Sequence, residues 1–338
     1  MASKGRTAVG AAAGITLATA CAAPVATPSS QPSEGGLVLP MSTPSDGWTL
    51  VWSDEFDGAT LDRTKWRPEV SCWGGGNEER QCYTDRAANV SVRGGHLRLT
   101  ARAEAFEGPL MPPELSDGQR RTKRQAFTSG KVRTKDLHAW RYGRISARMR
   151  LPGGQGTWPA FWMMPNDPAY GGWPQSGEID IMEAVNLGTP CAACAGGIET
   201  RTSAAIHFGA AWPDNAFVTA MAPESASAAP HQAWRTYAVE WGEGRIQWFV
   251  DGELFMRADA EDWNGTDGAP FDQPFYAMLN LAVGGRMSEQ ANGMGFDPNA
   301  FPASLLVDWV RVEACEGDET ARACMSEVPW SGALERGP

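Results

Sequence analysis

The chain has 338 residues, and its 40 acidic and 29 basic side chains give a formal net charge of −11. This balance argues against a protein that binds the phosphate backbone of nucleic acids, because such proteins need a basic surface. Charged residues are 20% and hydrophobic residues 42% of the chain, which argues against disorder over most of its length. The 38 Gly and 24 Pro favour short strands joined by turns, and the 15 Trp indicate a large core or flat aromatic surfaces for a ligand.

Residues 1–23 are typical of an export signal. Lys4 and Arg6 give a positive start, and residues 8–20 are small, apolar and uncharged, unlike a strongly apolar membrane span. The segment ends at Cys21 in a sequence that resembles a bacterial lipobox, although its leucine lies one place early. Two outcomes stay open: a lipid anchor at Cys21 on the outside of a bacterial cell membrane, or cleavage nearby with release into the medium.

The composition after this segment predicts the domain organisation. Residues 24–46 are rich in Pro, Ser, Ala and Thr and carry too little apolar surface to fold, which indicates a linker. No second linker of this kind and no internal repeat follows. We therefore expect one domain over residues 47–315 and a C-terminal tail over residues 316–338.

Seven cysteines are present, and all except Cys21 fall into couples that are close in sequence. An oxidising compartment would favour pairing within each couple. The disulfides predicted from proximity alone are Cys72–Cys82, Cys191–Cys194 and Cys315–Cys324. The alternative for the CxxC couple is a redox or zinc site, but neither a second CxxC nor a βαβ context accompanies it.

Several stretches alternate apolar and polar residues with a period of two, the pattern of a half-buried strand. In residues 96–102, Leu97, Leu99 and Ala101 share one face. The other alternating stretches are residues 144–151, 236–241, 245–252 and 305–314. A Gly-Glu-Gly sequence between the second and third of these is typical of a hairpin. The sequence therefore predicts an all-β fold, a two-sheet antiparallel sandwich (β-jelly roll) with a concave cleft.

Three acids, Glu178, Asp180 and Glu183, lie in the segment GEIDIMEAV, residues 177–185. In a regular strand the first two share a face and Glu183 points away, because side chains alternate. A β-bulge near Ile181–Met182 adds one residue and would bring all three acids to one side. The alternative is an exposed acidic strand face without chemistry.

A row of like charges is destabilising by itself but suits the cleavage of a glycosidic bond. That reaction needs a carboxylate near the anomeric carbon and a carboxylic acid under the leaving oxygen, about 5–5.5 Å apart in a retaining enzyme. The backbone positions of Glu178 and Glu183 would lie about 13 Å apart at ~3.3 Å per residue, so only a bent strand brings their carboxyl groups together. Asp180 would raise the pKa of the acid or orient the nucleophile.

An ordered set of motifs over residues 48–313 resembles glycoside hydrolase family 16, in its laminarinase-like (endo-β-1,3-glucanase) branch. The acid triplet matches the bulged form of the family signature, E-x-D-x-x-E. The other matching segments are residues 52–58, 61–66, 74–84, 129–136, 142–165, 204–209, 237–241, 246–252, 279–285 and 307–312. The resemblance implies that Glu178 is the nucleophile, Glu183 the general acid and then base, and Asp180 their partner. It implies retaining hydrolysis through a covalent glycosyl-enzyme intermediate, with no redox cofactor.

The resemblance also implies residues that bind substrate. Trp158 and Trp162 match family positions and are expected to stack on sugar faces; Trp173, just before the acid strand, is a third candidate, and burial in the core is the alternative for all three. Asn77 matches a ligand of sugar hydroxyls on the non-reducing side, or else serves as a turn residue after three glycines. His207 matches a histidine near the acid/base, where it would bind the leaving-side sugar or hold Glu183, and its alternative is a structural role.

Family members often hold one structural calcium ion away from the cleft. The positions that match its ligands are Glu55, the backbone of Gly95, and Asp308, and oxygen donors suit calcium. Each acid alone would be an ordinary surface charge. Residues 187–202 and 104–128 match no core motif of the family, and both could border the groove.

The leading hypothesis is a secreted or lipid-anchored, monomeric endo-β-1,3-glucanase with a β-glucan as its partner. The related alternatives are a β-1,3-1,4-glucanase, a marine galactanase and a transglycosylase. An alternative of another class is a glucan lectin without catalysis, against which the retention of all three acids argues. Serine and zinc hydrolases lack support, because the chain contains neither G-x-S-x-G nor H-E-x-x-H.

Overall fold

A computed structural model describes residues 47–223, 229–263 and 269–337. Its strands are β1 (Trp48–Asp54), β2 (Arg67–Pro68), β3 (Gln81–Tyr83), β4 (Val90–Val92), β5 (Leu97–Pro109), β6 (Thr122–Ser129), β7 (Lys131–Arg133), β8 (Gly143–Arg150), β9 (Thr157–Pro165), β10 (Glu178–Glu183), β11 (Ser203–Gly209), β12 (Asn215–Met221), β13 (Arg235–Gly242), β14 (Arg245–Val250), β15 (Glu253–Asp259), β16 (Phe275–Val283), β17 (Ala303–Cys315) and β18 (Glu335–Gly337). The helical segments are α1 (Arg286–Gln290) and the 3-10 turns η1 (Pro113–Leu115), η2 (Ala260–Trp263), η3 (Pro298–Ala300) and η4 (Arg322–Cys324). Within the described ranges, no helix is long and apolar enough to cross a membrane.

The strands form two sheets with the core between them. The first sheet has the order β15-β14-β13-β8-β17-β5-β6-β3, with β1 on β17 and β4 on β5. The second, which we call the cleft sheet, has the order β18-β12-β11-β10-β9-β16-β7-β2. The pairs are antiparallel except for β3 with β6. The predicted all-β two-sheet sandwich is confirmed.

The period-two pattern correctly placed five strands of the first sheet. Leu97, Leu99 and Ala101 on β5 are fully buried in the core, as their shared face predicted. The hairpin β13–β14 forms, with Trp241 opposite Ile246. Alternation located these strands because each buries one face against the other sheet and leaves the second face partly exposed.

The three disulfides predicted from proximity are confirmed as Cys72–Cys82, Cys191–Cys194 and Cys315–Cys324. The CxxC couple is therefore oxidised, in place of a redox dithiol or zinc site. Cys21, the export signal over residues 1–23 and the linker over residues 24–46 lie outside the described residues, and their roles stay predictions.

Residues 316–337, expected as a tail, pack on the sandwich. The Cys315–Cys324 disulfide ties their first part to β17. Further along, the Ser326 amide donates to Glu240 Oε2 at 2.7 Å. The segment ends as β18, an edge strand of the cleft sheet that pairs with β12. The C-terminal residues thus extend the sheet that carries the acid triplet.

Candidate active site

A β-bulge in β10 brings the three acids to one face, as the parity of the sequence predicted. Asp180 pairs with Ala205 and Glu183 pairs with Ser203, so three steps along β10 match two steps along β11. The additional residue lets Ile181 and Met182 both point into the core. A bulge of this kind re-aims the following side chain.

The carboxylates meet His207 on the neighbouring strand β11. Glu178 is directly opposite His207 in the register. One oxygen each of Glu178 and Asp180 and one ring nitrogen of His207 lie within 4.8 Å of one another. The Nε2 atom of His207 is 3.3 Å from Oδ2 of Asp180. The sequence-predicted histidine therefore contacts Asp180, the central acid.

Two tryptophans donate hydrogen bonds to the two glutamates. Nε1 of Trp173 donates to Glu178 Oε2 at 2.6 Å, and Nε1 of Trp158 donates to Glu183 Oε1 at 2.9 Å. Trp173 is 42% exposed and has a face available to a sugar, whereas Trp158 is only 8% exposed. Trp158 is thus placed to hold the acid/base candidate more than to stack on substrate.

Burial and mutual repulsion set the protonation of this cluster. Burial raises the pKa of Glu178 and of Glu183. For Asp180, burial and the charges of both glutamates raise the pKa well above its usual range. Burial alone would lower the pKa of His207, but Asp180 and the two glutamates outweigh it and raise the pKa to about 9. The charges of these groups depend on one another, and the imidazole of His207 keeps its proton at neutral pH.

We expect His207→Asn to move the acidic limb of the kcat/KM profile to higher pH. The imidazolium lowers the pKa of Glu178, so its loss raises that pKa and delays ionisation of the nucleophile candidate. The loss of activity should be several-fold greater at acidic pH than at neutral pH, measured as kcat/KM against pH. His138→Asn is the control, because His138 stacks beside Trp140, away from the acids. Equal loss at every pH would contradict the electrostatic role.

A buried polar network behind Trp162 was not predicted from the sequence. Nε1 of Trp162 donates to Asn280 Oδ1 at 2.6 Å, and Asn280 Nδ2 donates to the Tyr83 hydroxyl at 3.1 Å. The Tyr83 hydroxyl donates to Glu79 Oε2 at 3.4 Å. Burial raises the pKa of Glu79. Glu79, Gln81 and Tyr83 alternate along one polar segment, and this period-two spacing predicts that their side chains share a face. That pattern could have indicated this part of the network.

The loop that carries Asn77 lies beside the end of β16 in the cleft sheet. Asn77 is exposed, and its Nδ2 lies 3.5 Å from Oε1 of Glu79. Its carbonyl oxygen accepts from the amide of Arg286, the first residue of α1. The neighbouring Glu79 forms an isolated bridge with Gly284, just after β16. This position leaves the Asn77 side chain accessible beside the network that holds Trp162.

The residues predicted to bind calcium do not fit the ion as they are arranged. Both carboxylate oxygens of Glu55 accept from Arg311, at 2.9 and 2.8 Å. Asp308 pairs with Arg148 at 2.5 Å and lies 3.2 Å from Nδ1 of His96. Basic side chains therefore engage the oxygens that calcium would need, and only the backbone of Gly95 is left from the predicted set.

Comparison with known proteins identifies the family. The family model described as "Beta-porphyranase A-D, GH16 domain" matches residues 48–312. The chain belongs to glycoside hydrolase family 16. The bulged acid strand, the two-sheet sandwich and the sequence match agree, and the protein is a glycoside hydrolase.

Relatives of this family 16 chain carry glucanase names. It is 38% identical over 295 residues to "Glucan endo-1,3-beta-glucosidase A1" of Niallia circulans, covering 81% of this chain but only 39% of that protein. The solved laminarinase of Rhodothermus marinus is 36% identical, with a TM-score of 0.63, covering 79% of this chain and 97% of that one. SCLam, described as a non-specific endo-beta-1,3(4)-glucanase, is 35% identical with a TM-score of 0.63, covering 82% and 94%.

Proposed function

We propose that this protein is an endo-acting, retaining glycoside hydrolase that cleaves β-1,3-glucan of the laminarin type. The observation that carries the proposal is the bulge in β10, which turns Glu178, Asp180 and Glu183 to the cleft face. Glu178 attacks the anomeric carbon while Glu183 gives its proton to the leaving oxygen. The bond to the leaving sugar breaks as the bond to the Glu178 oxygen forms.

The second half of the reaction returns the enzyme to its starting state. Glu183, now ionised, takes a proton from water, and the water oxygen displaces Glu178 from the anomeric carbon. The Trp173 N–H and the His207 charge favour the ionised form of Glu178 at the start. Asp180 links the histidine to the nucleophile, and its hydrogen bond lowers the pKa of Glu178, whereas the charge of Glu178 raises the pKa of Glu183.

The substrate class rests on the relatives, and one observation favours a second candidate. The names of the Niallia and Rhodothermus proteins support β-1,3-glucan, and SCLam supports tolerance of mixed β-1,3-1,4 linkages. The description of the matching family model names β-porphyranases, and this name favours a marine galactan as the second candidate substrate. A glucan lectin is the least favoured reading, because all three acids are present and buried contacts support each of them.

A parallel digest tests the substrate proposal. Laminarin, lichenan, agarose, carrageenan and porphyran are incubated with the protein, and products are separated by chromatography. We expect short oligosaccharides from laminarin at a rate at least about tenfold above that from the galactans, in accord with the limited discrimination one binding pocket gives. Proton NMR of the first product should show the β-anomer. Faster release from porphyran would replace the glucan proposal, and an initial α-anomer would exclude retention.

We further propose that the protein acts outside the cell. The first 23 residues support export, and three disulfides are stable in an oxidising compartment. Expression with the native N-terminus in a bacterium, followed by fractionation and labelling with a fatty acid, distinguishes the forms. Label that disappears in Cys21→Ser indicates an anchor, unlabelled protein in the medium indicates release, and protein kept in the cytoplasm contradicts export.

A further inference from the structure

A row of aromatic rings leads away from Glu178 across the cleft sheet. The indole of Trp173 lies 6.1 Å from the ring of His207, and the His207 ring lies 5.7 Å from that of Phe217. His207 and Phe217 are directly opposite in the register of β11 and β12, so both project on the face that carries Glu178. Phe217 is half-buried. The row thus continues the face of the acid cluster for two strand spacings, about 10 Å.

The C-terminal strand makes room for the Phe217 ring. Gly337 on β18 pairs with Phe217 on β12. A side chain at position 337 would place its first carbon 1.9 Å from Cε1 and 2.2 Å from Cζ of Phe217. The ring therefore occupies the space above this glycine and lies over the edge strand. Arg336 fixes that strand through an ion pair with Asp262.

The row ends on the side of the cleft where the leaving group departs. Strand β9 with Trp162, and the Asn77 loop beyond it, lie on one side of β10, whereas β11, β12 and β18 lie on the other. The family resemblance implies that Asn77 binds on the non-reducing side, so His207 and Phe217 face the reducing side. Two residues before Phe217 on the same face of β12, Asn215 lies opposite Gly209 and adds a polar side chain to this end of the row.

We propose that Phe217, seated over Gly337, is a specificity-determining sugar-binding residue on the leaving-group side, one position beyond the sugar that meets His207. The occupant is a pyranose unit of the same β-glucan chain. Its C–H-rich face packs on the phenyl ring. This inference rests on the proposed function, because Phe217 can bind a leaving-side sugar only if the acid triplet cleaves a glucan chain that lies across this sheet. It makes the C-terminal strand part of the substrate groove.

The test compares a substrate that extends past His207 on the leaving-group side with one that ends there. Laminarihexaose reaches past His207, whereas an aryl β-laminaribioside with a good leaving group does not. We expect Phe217→Ala to lower kcat/KM on the hexaose about tenfold, the scale of one aromatic contact, and to leave the aryl substrate unchanged. Cleavage of end-labelled hexaose should shift toward products with fewer sugars on the leaving side. Phe217→Tyr, which keeps the ring, should restore both the rate and the pattern.

Two further variants complete the design. Gly337→Val should reproduce the effect of Phe217→Ala, because the added side chain displaces the ring. Leu50→Ala, which removes an exposed apolar side chain from β1 on the other sheet, is the control and should behave as wild type. Equal loss on both substrates, or none on either, would overturn the inference. Wild-type turnover of the aryl β-laminaribioside tests the proposed function separately, since that substrate does not reach Phe217.

Discussion

Replacing Glu178 with Ala is expected to abolish hydrolysis of laminarin, with a fall in kcat of more than about 10⁴-fold, the scale seen when a nucleophile is lost. Without the carboxylate, no covalent intermediate forms, and Trp173 loses its hydrogen-bond acceptor. The variant should still bind glucan, because the aromatic faces remain. Initial rates on laminarin and calorimetric titration with laminari-oligosaccharides measure the two effects.

Azide separates loss of the nucleophile from loss of the fold. In Glu178→Ala, azide can enter the space left by the side chain and attack from that side, while Glu183 still protonates the leaving group. With an aryl β-laminaribioside we expect a glycosyl azide of inverted, α configuration.

The melting temperature of Glu178→Ala should also rise. One of three clustered carboxylates is gone, so the repulsion that raises the pKa of Asp180 falls.

The control for Glu178 is a glutamate of the opposite sheet. Glu313 pairs with Arg144 at 2.6 Å on the first sheet, far from the acids in the strand order. Glu313→Gln should keep the wild-type rate. Turnover of laminarin by Glu178→Ala near the wild-type rate, or a β-configured azide product, would show that another group is the nucleophile.

The acid strand was predictable from the sequence because its geometry depends on the spacing of residues that are close together in the chain. Three acids with an odd spacing have to share a face for chemistry, and a single added residue is the simplest way to restore the parity. Ile181 and Met182 supply two successive apolar side chains that the core accepts. The same locality explains the disulfide pairing, since each partner lies within ten residues of the other.

Contacts between distant segments were not predictable in the same way. The network behind Trp162 joins β9, β16 and β3, and nothing near Asn280 in the sequence indicates Tyr83 as its partner. The pairing of β18 with β12 is of the same kind, because a three-residue strand after a polar segment carries no period of its own. Register between distant strands is set by packing, which single-chain patterns do not contain.

For the tryptophans, the family resemblance predicted the location of the side chains but not the contacts that they make. The motif TWPAFW indicated a position at the cleft. It did not indicate whether the indole stacks on a sugar or donates its N–H to a neighbouring side chain. Trp158 is buried and uses its N–H on Glu183, whereas Trp173, the less specific match, is exposed and contacts Glu178. An indole N–H on each glutamate fixes both carboxyl groups in position before substrate arrives, as a preorganised site requires.

Replacing Glu183 with Ala should slow glucan hydrolysis by about 10²–10⁴-fold, the usual contribution of a general acid. Substrates whose leaving group needs no proton should still form the glycosyl-enzyme intermediate at a high rate. An aryl β-laminaribioside with a nitrophenolate leaving group should therefore give a rapid burst of phenolate, followed by slow turnover, since no base activates water in the second step. Stopped-flow absorbance measures the burst.

The pH profile and azide complete the assignment of Glu183. Burial raises the pKa of this acid, so its protonated form persists above the range of an ordinary glutamate, and its ionisation sets the alkaline limb of wild-type activity. That limb should disappear in Glu183→Ala assayed on the aryl substrate. Azide should restore turnover and give a glycosyl azide of retained, β configuration, opposite to that expected from Glu178→Ala. An unchanged alkaline limb, or an equal loss on glucan and aryl substrates, would assign the acid to another residue.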